Sequence, residues 1–273
     1  MKASEIIDLA LRLSNFDTLP PDSGIHVDGK DIQRVLFSID VSISELLLAK
    51  ELNCDAVIGH HPLGDALVNF YKVLDRHVDF MLQNGIPLNI ARSATEELKS
   101  RLMLRGHYSN YSYIVSAAQH LNIPLLNIHV PLDELGRRLI LERLNNGKPK
   151  IVRDVIKIIS EIKEFKCGAT KPELILGSMN APCERIALVH AAGTNGGYPI
   201  TKAYFTHGIR TVIYAHIDYN DWKRLKDEGL SGNLIIMGHI ATDSVGINIF
   251  IRELINKGIE VLPIGILGYE VIR

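Results

Sequence analysis

Asp55-Ala56-Val57-Ile58-Gly59-His60-His61-Pro62 is the most informative segment of the sequence. Its short apolar run predicts a buried strand. Two adjacent histidines follow where that strand would meet solvent, and an imidazole pair gains little from burial unless something binds it. Neutral imidazole is the commonest side-chain metal ligand, so the segment indicates a metal-binding position. A turn with two solvated rings is the alternative interpretation.

Strand and helix patterns alternate along the rest of the chain. Apolar runs predict strands over residues 34–41, 55–60, 87–90, 124–128, 174–176, 185–190, 211–215, 233–237 and 260–263. Helical periodicity predicts helices over residues 4–14, 42–53, 65–83, 94–104, 112–121, 134–144, 151–163, 199–207, 220–228 and 241–257. Ser42 and Glu45 form a capping box at the start of the second helix. This alternation predicts an α/β fold with largely parallel strand pairing.

The best linker lies at residues 145–150, which are polar and contain Gly and Pro. We therefore predict two α/β lobes. Residues 1–148 together with 231–273 would form a metal-binding lobe, and residues 149–230 would form the second lobe. The C-terminal segment is assigned to the first lobe because candidate ligands lie in both parts.

Histidine and aspartate recur at one spacing after two of the predicted strands. His129 precedes Asp133 by four residues, and His239 precedes Asp243 by four. On a helix this spacing places the two Cβ atoms about 6 Å apart on one face, which suits two ligands of one ion. Pro131 is expected to delay the helix start in the first pair. A single pair of this kind is common by chance, but repetition at matching positions favours function.

The carboxyl ends of parallel strands converge on one sheet edge, where ligands bind. His60, His61, His129 and His239 all follow predicted strands, so the topology allows them to meet. Adjacent histidines diverge and cannot easily bind one ion, but they can bind two ions about 3.5–4 Å apart, a known hydrolytic arrangement. Mixed imidazole and carboxylate ligands suit zinc, iron or manganese.

Three further features border this predicted site. Asp40 ends a predicted strand and either orients a ligand histidine or caps the following helix. The Gly-rich loop at residues 193–197 precedes a predicted helix and either binds an anion through backbone amides or forms a plain turn. His216 ends another predicted strand and is a weaker candidate for the cleft.

Composition describes an ordinary globular protein. The chain has 273 residues, 47% of them hydrophobic, and a net charge of −1, which argues against a nucleic-acid partner. The three cysteines, Cys54, Cys167 and Cys183, favour a reducing cytoplasm over a disulfide framework. We find no signal peptide and no apolar run near the roughly 20 residues that span a bilayer. A cytoplasmic location without membrane contact is expected.

Residues 55–63 resemble the signature of the Nif-three-like dinuclear metal-centre family. Its members carry a strand ending in His-His-Pro, then His-x-x-x-Asp, then Gly-His-x-x-x-Glu near the C-terminus, and the same order occurs here. The resemblance implies two interlocked α/β lobes with mixed, largely parallel sheets, two divalent ions per chain and a ring-like homo-oligomer, often a hexamer. The ligands that it implies are His60, His61, Asp133, His239 and Asp243, with His129 beside them as a ligand or a partner of one. Many members are labelled as a second type of GTP cyclohydrolase.

The chain departs from this family pattern in three places. Asp243 stands where glutamate is usual, so a bridging carboxylate would be one methylene shorter. The segment between His61 and Asp133 is longer than in compact bacterial members, which could lid the cleft or alter oligomer contacts. Residues 215–221 replace a Thr-Gly-Asp-x-x-x-His-like segment, so the polar lining of the second lobe differs.

The leading functional prediction is a metal-dependent hydrolase of a small, possibly nucleotide or phosphorylated, substrate. The alternative is a non-catalytic metal-binding scaffold or regulatory interaction protein, since no clear nucleophile or general base stands out beyond the ligands. Nucleic-acid binding through the ring ranks third, because the charge balance argues against it.

Overall fold

The computed structural model describes residues 1–269, which form a mixed α/β structure. The helices are α1 (Ala3–Ser14), α2 (Ile43–Glu51), α3 (Gly64–Asn69), α4 (Asp75–Gln83), α5 (Leu88–Tyr108), α6 (Ser112–Leu121), α7 (Val130–Gly147), α8 (Val152–Ser160), α9 (Lys163–Cys167), α10 (Gly197–Thr206), α11 (Tyr219–Asp227) and α12 (His239–Asn256). The strands are β1 (Gly24–Val27), β2 (Arg34–Ser38), β3 (Ala56–Gly59), β4 (Leu125–Asn127), β5 (Glu173–Leu176), β6 (Ile186–Leu188), β7 (Thr211–Tyr214), β8 (Asn233–Ile236) and β9 (Glu260–Ile264). Among these described helices, none has the length and apolarity to cross a bilayer. The predicted α/β class is confirmed.

The first sheet has the strand order β1-β4-β3-β2-β9. Strand β1 is antiparallel to β4, and the remaining neighbours are parallel. All four residues of β3 are buried, as expected for a central parallel strand covered on both faces. Strand β9 pairs in parallel with β2, from Arg34 opposite Glu260 onward. The predicted return of the C-terminal segment to the first part of the chain is therefore confirmed.

Alternate residues of β3 pack on opposite faces of the first sheet. Ile58 belongs to a buried cluster that includes Ile6 of α1 and Phe250 of α12. Val57 belongs to a different cluster that includes Leu46 of α2. The period of two along a strand produces this division. Each such side chain contributes about 1.5–3 kcal/mol through burial, so both faces hold β3 and the histidines after it in place.

Like the first sheet, the second sheet has one antiparallel edge strand beside parallel strands, and its strand order is β5-β8-β7-β6. Strand β5 is antiparallel to β8, whereas β8, β7 and β6 are mutually parallel neighbours. The four residues of β7 are all buried. The carboxyl ends of β6, β7 and β8 consequently lie on one edge of this sheet.

The chain divides into two compact units, each built from separate segments. The first unit contains Met1–Val73, Leu102–Gly136 and Asp243–Arg273, and the second contains Leu74–Arg101 and Arg137–Thr242. These limits differ from the predicted lobes, 1–148 with 231–273 and 149–230. Residues 74–101 and strand β8 belong to the second unit, where β8 pairs with β7.

Several local expectations are corrected or confirmed by the elements. Residues 87–90 were expected to form a strand, but α5 begins at Leu88, since a proline just before a helix is well tolerated. The expected linker at 145–150 starts inside α7, which continues to Gly147.

Strand β1 was not predicted, because His26 interrupts its short apolar pattern. The capping box is confirmed, with the Ser42 amide donating to Glu45 Oε2 over 2.6 Å.

His77 of α4 is fully buried in the second unit. Burial lowers the pKa of His77 from 6.5 to about 4. Above pH 6.5 the ring is neutral in both folded and unfolded chains, so it leaves stability unchanged. As the pH falls from 6.5 towards 4, His77 becomes protonated in the unfolded chain but stays neutral in the folded chain. Stability is therefore lost over this window.

We expect the wild type to lose about 2 kcal/mol between pH 7 and pH 5 through His77 alone. A His77→Leu variant should lack this part of the loss, as measured by urea unfolding at both pH values with chelator present. His120→Gln is the matched control, because His120 is exposed on α6 and should leave the pH dependence unchanged. An unchanged slope in His77→Leu would contradict the assignment.

Candidate metal centre

Adjacent parallel strands bring the first histidines together. Strand β3 ends at Gly59 opposite Asn127 of β4, so His60 and His129 both follow carboxyl ends at one sheet edge. Their ring centroids lie 4.8 Å apart. His61 follows directly, with its ring 5.4 Å from that of His60. The prediction placed four histidines at one sheet edge: His60, His61 and His129 meet at the edge of the first sheet, whereas His239 follows β8 of the second sheet.

Two helix starts supply the carboxylates. Asp133 lies in the first turn of α7, where the helix dipole favours a negative charge. Pro131 was expected to delay this helix, but α7 begins at Val130, since a proline in the first turn loses no intrahelical hydrogen bond. Asp243 lies one turn inside α12, and His239 is the first residue of the same helix. The spacing of four places His239 and Asp243 on one helix face.

A very close backbone approach sets the distance between α7 and α12. A Cβ atom added at Gly246 would lie 1.9 Å from the Leu132 carbonyl oxygen. Only glycine therefore fits at this crossing. Leu132 is the neighbour of Asp133, and Gly246 lies less than one turn beyond Asp243. The glycine consequently lets the two carboxylates approach each other.

Imidazole nitrogens and carboxylate oxygens face each other inside the site. His60 Nε2 lies 3.2 Å from Asp133 Oδ1 and 3.7 Å from Asp243 Oδ2. His61 Nε2 lies 3.4 Å from Asp243 Oδ2. His129 Nε2 lies 3.7 Å from Asp133 Oδ2. All of these side chains are buried except His61, which is 23% exposed.

Each of the three clustered histidines is held at its Nδ1 atom. His60 Nδ1 donates to the Ile128 carbonyl oxygen over 3.0 Å. His61 Nδ1 lies 2.7 Å from Asp40 Oδ1, and His129 Nδ1 lies 2.7 Å from Asp22 Oδ2. A hydrogen bond of this kind fixes the ring orientation and leaves Nε2 as the coordinating atom, as in known metal sites.

Asp40 and Asp22 both contact histidines of this cluster, but only Asp40 was identified as a candidate from the sequence. Asp40 was proposed either to orient a histidine or to cap a helix, and it contacts His61, while Ser42 caps α2. Asp22 was not predicted. It follows two prolines in a segment typical of a surface turn, yet it is completely buried. Asp22 lies more than 100 residues before His129 in the chain, so no local sequence pattern links the two residues.

The cluster has the chemistry of a cation site. Because His60 Nδ1 must donate to a carbonyl oxygen, neutral His60 carries a lone pair at Nε2. That buried nitrogen has no hydrogen-bond partner among residues 1–269 and faces two carboxylates. Lone pairs in such contact repel unless a cation lies between them. His60, Asp133 and Asp243 offer ligand atoms that all lie within 4.8 Å of one another, as do His60, His61 and His129.

The electrostatics of His129 point the same way. Burial by itself would lower the pKa of its ring. The carboxylates of Asp133, Asp22 and Asp243 outweigh burial and raise the pKa to about 9. The site therefore has an excess of negative charge that attracts cations.

One solved structure is similar to this chain over nearly its whole length. The NIF3 superfamily protein from Sphaerobacter thermophilus shares 43% sequence identity, and the match covers 98% of this chain and 99% of that one with a TM-score of 0.93. The chain belongs to the NIF3 superfamily. The resemblance based on the His-His-Pro and His-x-x-x-Asp segments is confirmed. No protein-family model matches the chain.

Two more distant similarities also cover nearly the whole length of this chain. A protein of Pyrococcus horikoshii named GTP cyclohydrolase 1 type 2 homolog is 22% identical over 272 residues, covering 94% of each chain. Reduced HcgD from Methanocaldococcus jannaschii is 16% identical with a TM-score of 0.62, which shows a shared fold alone.

Proposed function

We propose that this NIF3 superfamily protein is a metal-dependent hydrolase with a dinuclear centre, acting on a small phosphorylated substrate such as a nucleotide. The proposed ligands are His60, His61, Asp133, His239 and Asp243, with His129 beside them as a further ligand or a hydrogen-bond donor. Zinc, iron and manganese suit this mixed set of nitrogen and oxygen atoms. The choice among them and the hexameric assembly stay predictions.

The observation that carries the proposal is the buried Nε2 atom of His60 between two carboxylates. A protein that used these groups only for packing would have oriented the ring to make a hydrogen bond, since an unsatisfied buried polar atom costs about 1–3 kcal/mol. A cation shared by the three side chains removes that cost. The geometry therefore supports binding better than packing.

Asp243 supports a centre of two ions. Its Oδ2 atom lies 3.7 Å from His60 Nε2 and 3.4 Å from His61 Nε2. Because both Nε2 atoms lie within 3.7 Å of this one oxygen, the Asp243 carboxylate would be shared if one ion bound at His60 and a second at His61. The shorter side chain at this position, where glutamate is usual in the family, still reaches both histidines.

Two divalent ions would polarise the scissile group and lower the pKa of a water molecule towards neutrality. The protein contributes fixed ligand orientation. Asp40, Asp22 and the Ile128 carbonyl hold the three rings at Nδ1, so that little rearrangement accompanies the reaction. The partial exposure of His61 leaves one side open, where a substrate can enter.

The function is tested by assaying purified protein with zinc, iron or manganese against nucleotides, including GTP, and simple phosphoesters. We expect turnover of at least one phosphorylated compound and its loss in His61→Ala. His120→Ala removes an exposed imidazole elsewhere and should keep wild-type activity. Turnover that survives unchanged in His61→Ala would contradict the proposed site. Tight metal binding without turnover across the panel would favour a non-catalytic metal-binding protein.

A further inference from the structure

A cavity of about 380 Å³ lies within the first unit, and none of its lining residues is a proposed metal ligand. Its walls come from the loop before β1, from β1 itself, from α3 and from α6. The volume is within the range of about 300–1,000 Å³ that is usual for small-molecule sites. Leu19, Ile25 and Val115 form part of an apolar wall. The polar side chains in the lining decide which ligand fits, and they are those of Ser23, His26, Asp65 and Asn69.

Asn127 fixes the tautomer of His26. The Nδ2 atom of Asn127 donates to the Asp22 carbonyl oxygen over 2.8 Å, which identifies it as the amide nitrogen. The Oδ1 atom of the same side chain lies 2.8 Å from His26 Nε2. Because an amide oxygen only accepts, Nε2 must carry the ring hydrogen and donate it. Neutral His26 therefore has its lone pair on Nδ1.

The Nδ1 atom of His26 is an open acceptor beside the cavity. A Cβ atom added at Gly64 would lie 2.7 Å from it, so this edge of the ring faces the start of α3, where Asp65 lines the cavity. Nδ1 has no hydrogen-bond partner within residues 1–269 and is not sealed from solvent. Burial lowers the pKa of His26 below its usual 6.5, against the opposing effects of the Asn127 hydrogen bond and the Asp65 charge. The ring is therefore neutral at pH 7, with its lone pair available.

The other polar side chains of the lining add a negative charge. Asp65 is exposed, and its carboxylate makes no ion pair or hydrogen bond within the described part of the chain. The Asn69 amide is already used, because Nδ2 donates to the Asp65 carbonyl oxygen and Oδ1 accepts from Lys72 Nζ. Ser23 Oγ likewise donates to a carboxylate and accepts from the His129 amide. A ligand in the cavity therefore meets an unpaired carboxylate and an imidazole lone pair.

Two acceptors, one of them charged, match a ligand that carries both positive charge and N–H groups. An anion such as phosphate is disfavoured, because the Asp65 carboxylate would repel it. A metal ion is disfavoured as well, since His26 and Asp65 supply only two ligands and belong to none of the groups within residues 1–269 that could hold an ion. A primary ammonium has three N–H donors, enough to contact both acceptors. The apolar wall suits a short alkyl chain.

We propose that this cavity binds a small aliphatic primary amine in its ammonium form, with His26 Nδ1 accepting one N–H hydrogen and the Asp65 carboxylate balancing the charge. The alkyl chain lies against the apolar wall. The site shares no residue with the proposed metal centre, so it does not depend on the proposed function.

The geometry is tested by two-bond proton–nitrogen correlation NMR on full-length protein labelled with ¹⁵N-histidine, with n-butylammonium chloride as the probe. Wild type should show His26 in its Nε2–H form, and its Nδ1 resonance should shift saturably as the probe is added. The exposed ring of His120 should not shift. An Nδ1–H form of His26, or no saturable shift, would overturn the proposal.

Matched variants and probes separate the two contacts. Asp65→Asn keeps the shape but removes the charge, so it should bind the probe at least about threefold more weakly. Asp8→Asn, which removes an exposed carboxylate from α1, should bind as wild type does. The n-butyltrimethylammonium ion keeps the charge and chain but has no N–H group, so it should bind about tenfold more weakly than n-butylammonium. His26→Phe should show a similar loss for n-butylammonium, and Asp65→Asn decides the matter if that variant does not fold. Wild-type affinity in Asp65→Asn, or equal affinity for the two probes, contradicts the site.

Two further outcomes would assign the amine to another place or source. Binding should persist when a chelator removes metal, and its loss would place the amine at the metal centre. Binding of Nα-acetyl-lysine methylamide without binding of n-butylammonium would indicate a lysine side chain of a partner protein. Either result would overturn the proposal.

Discussion

Replacing His60 with alanine is expected to remove most of the bound metal and to lower turnover by at least roughly 10³-fold. His60 is completely buried, and its Nε2 atom faces both Asp133 and Asp243. Without the imidazole, the two carboxylates lose the nitrogen that would complete the proposed cation site. Metal content by elemental analysis and turnover of the best panel substrate measure the two effects.

His120→Ala is the matched control for this substitution. It also deletes one imidazole, but from an exposed position on α6, so metal content and turnover should stay at wild-type values. Circular dichroism of each variant shows that the fold is intact. Wild-type metal content in a folded His60→Ala protein would exclude His60 as a ligand.

Replacing Gly246 with alanine is expected to destabilise the first unit by about 3 kcal/mol, the upper range for overpacking. The new methyl group would lie 1.9 Å from the Leu132 carbonyl oxygen, and a backbone atom cannot rotate away. Helices α7 and α12 must then separate, which carries Asp133 away from Asp243. A melting temperature lower by roughly 10 °C should accompany weaker metal binding.

Gly106→Ala provides the comparison for a helical glycine without this crossing. A Cβ atom at Gly106 would lie 3.3 Å from the Val68 carbonyl oxygen, so only a small adjustment is needed. The gain in helix propensity, about 0.5–1 kcal/mol, offsets that adjustment. Equal melting temperatures for the two variants would show that the crossing does not control the separation of α7 and α12.

The sequence predicts the part of the site that follows from strand ends. His60, His61 and His129 follow apolar runs, and parallel pairing places the ends of such strands together. His239 and Asp243 are suggested by their spacing of four on a helix. These residues are predictable because periodicity and topology are local or rule-governed properties of the chain.

The remaining features depend on contacts that no local pattern records. Asp22 reaches His129 from a loop far back in the chain. Gly246 is required by a backbone atom of another helix. Each of these follows only from three-dimensional placement, and each controls the orientation of a residue that the sequence does reveal.

Elemental analysis of protein purified without chelator tests the metal centre most directly. The arrangement of His60, His61, Asp133 and Asp243 predicts about two divalent ions per chain, of zinc, iron or manganese. A value near two, falling in His60→Ala but not in His120→Ala, is the expected result. Protein that contains no metal, even after reconstitution with each ion, would contradict the dinuclear centre.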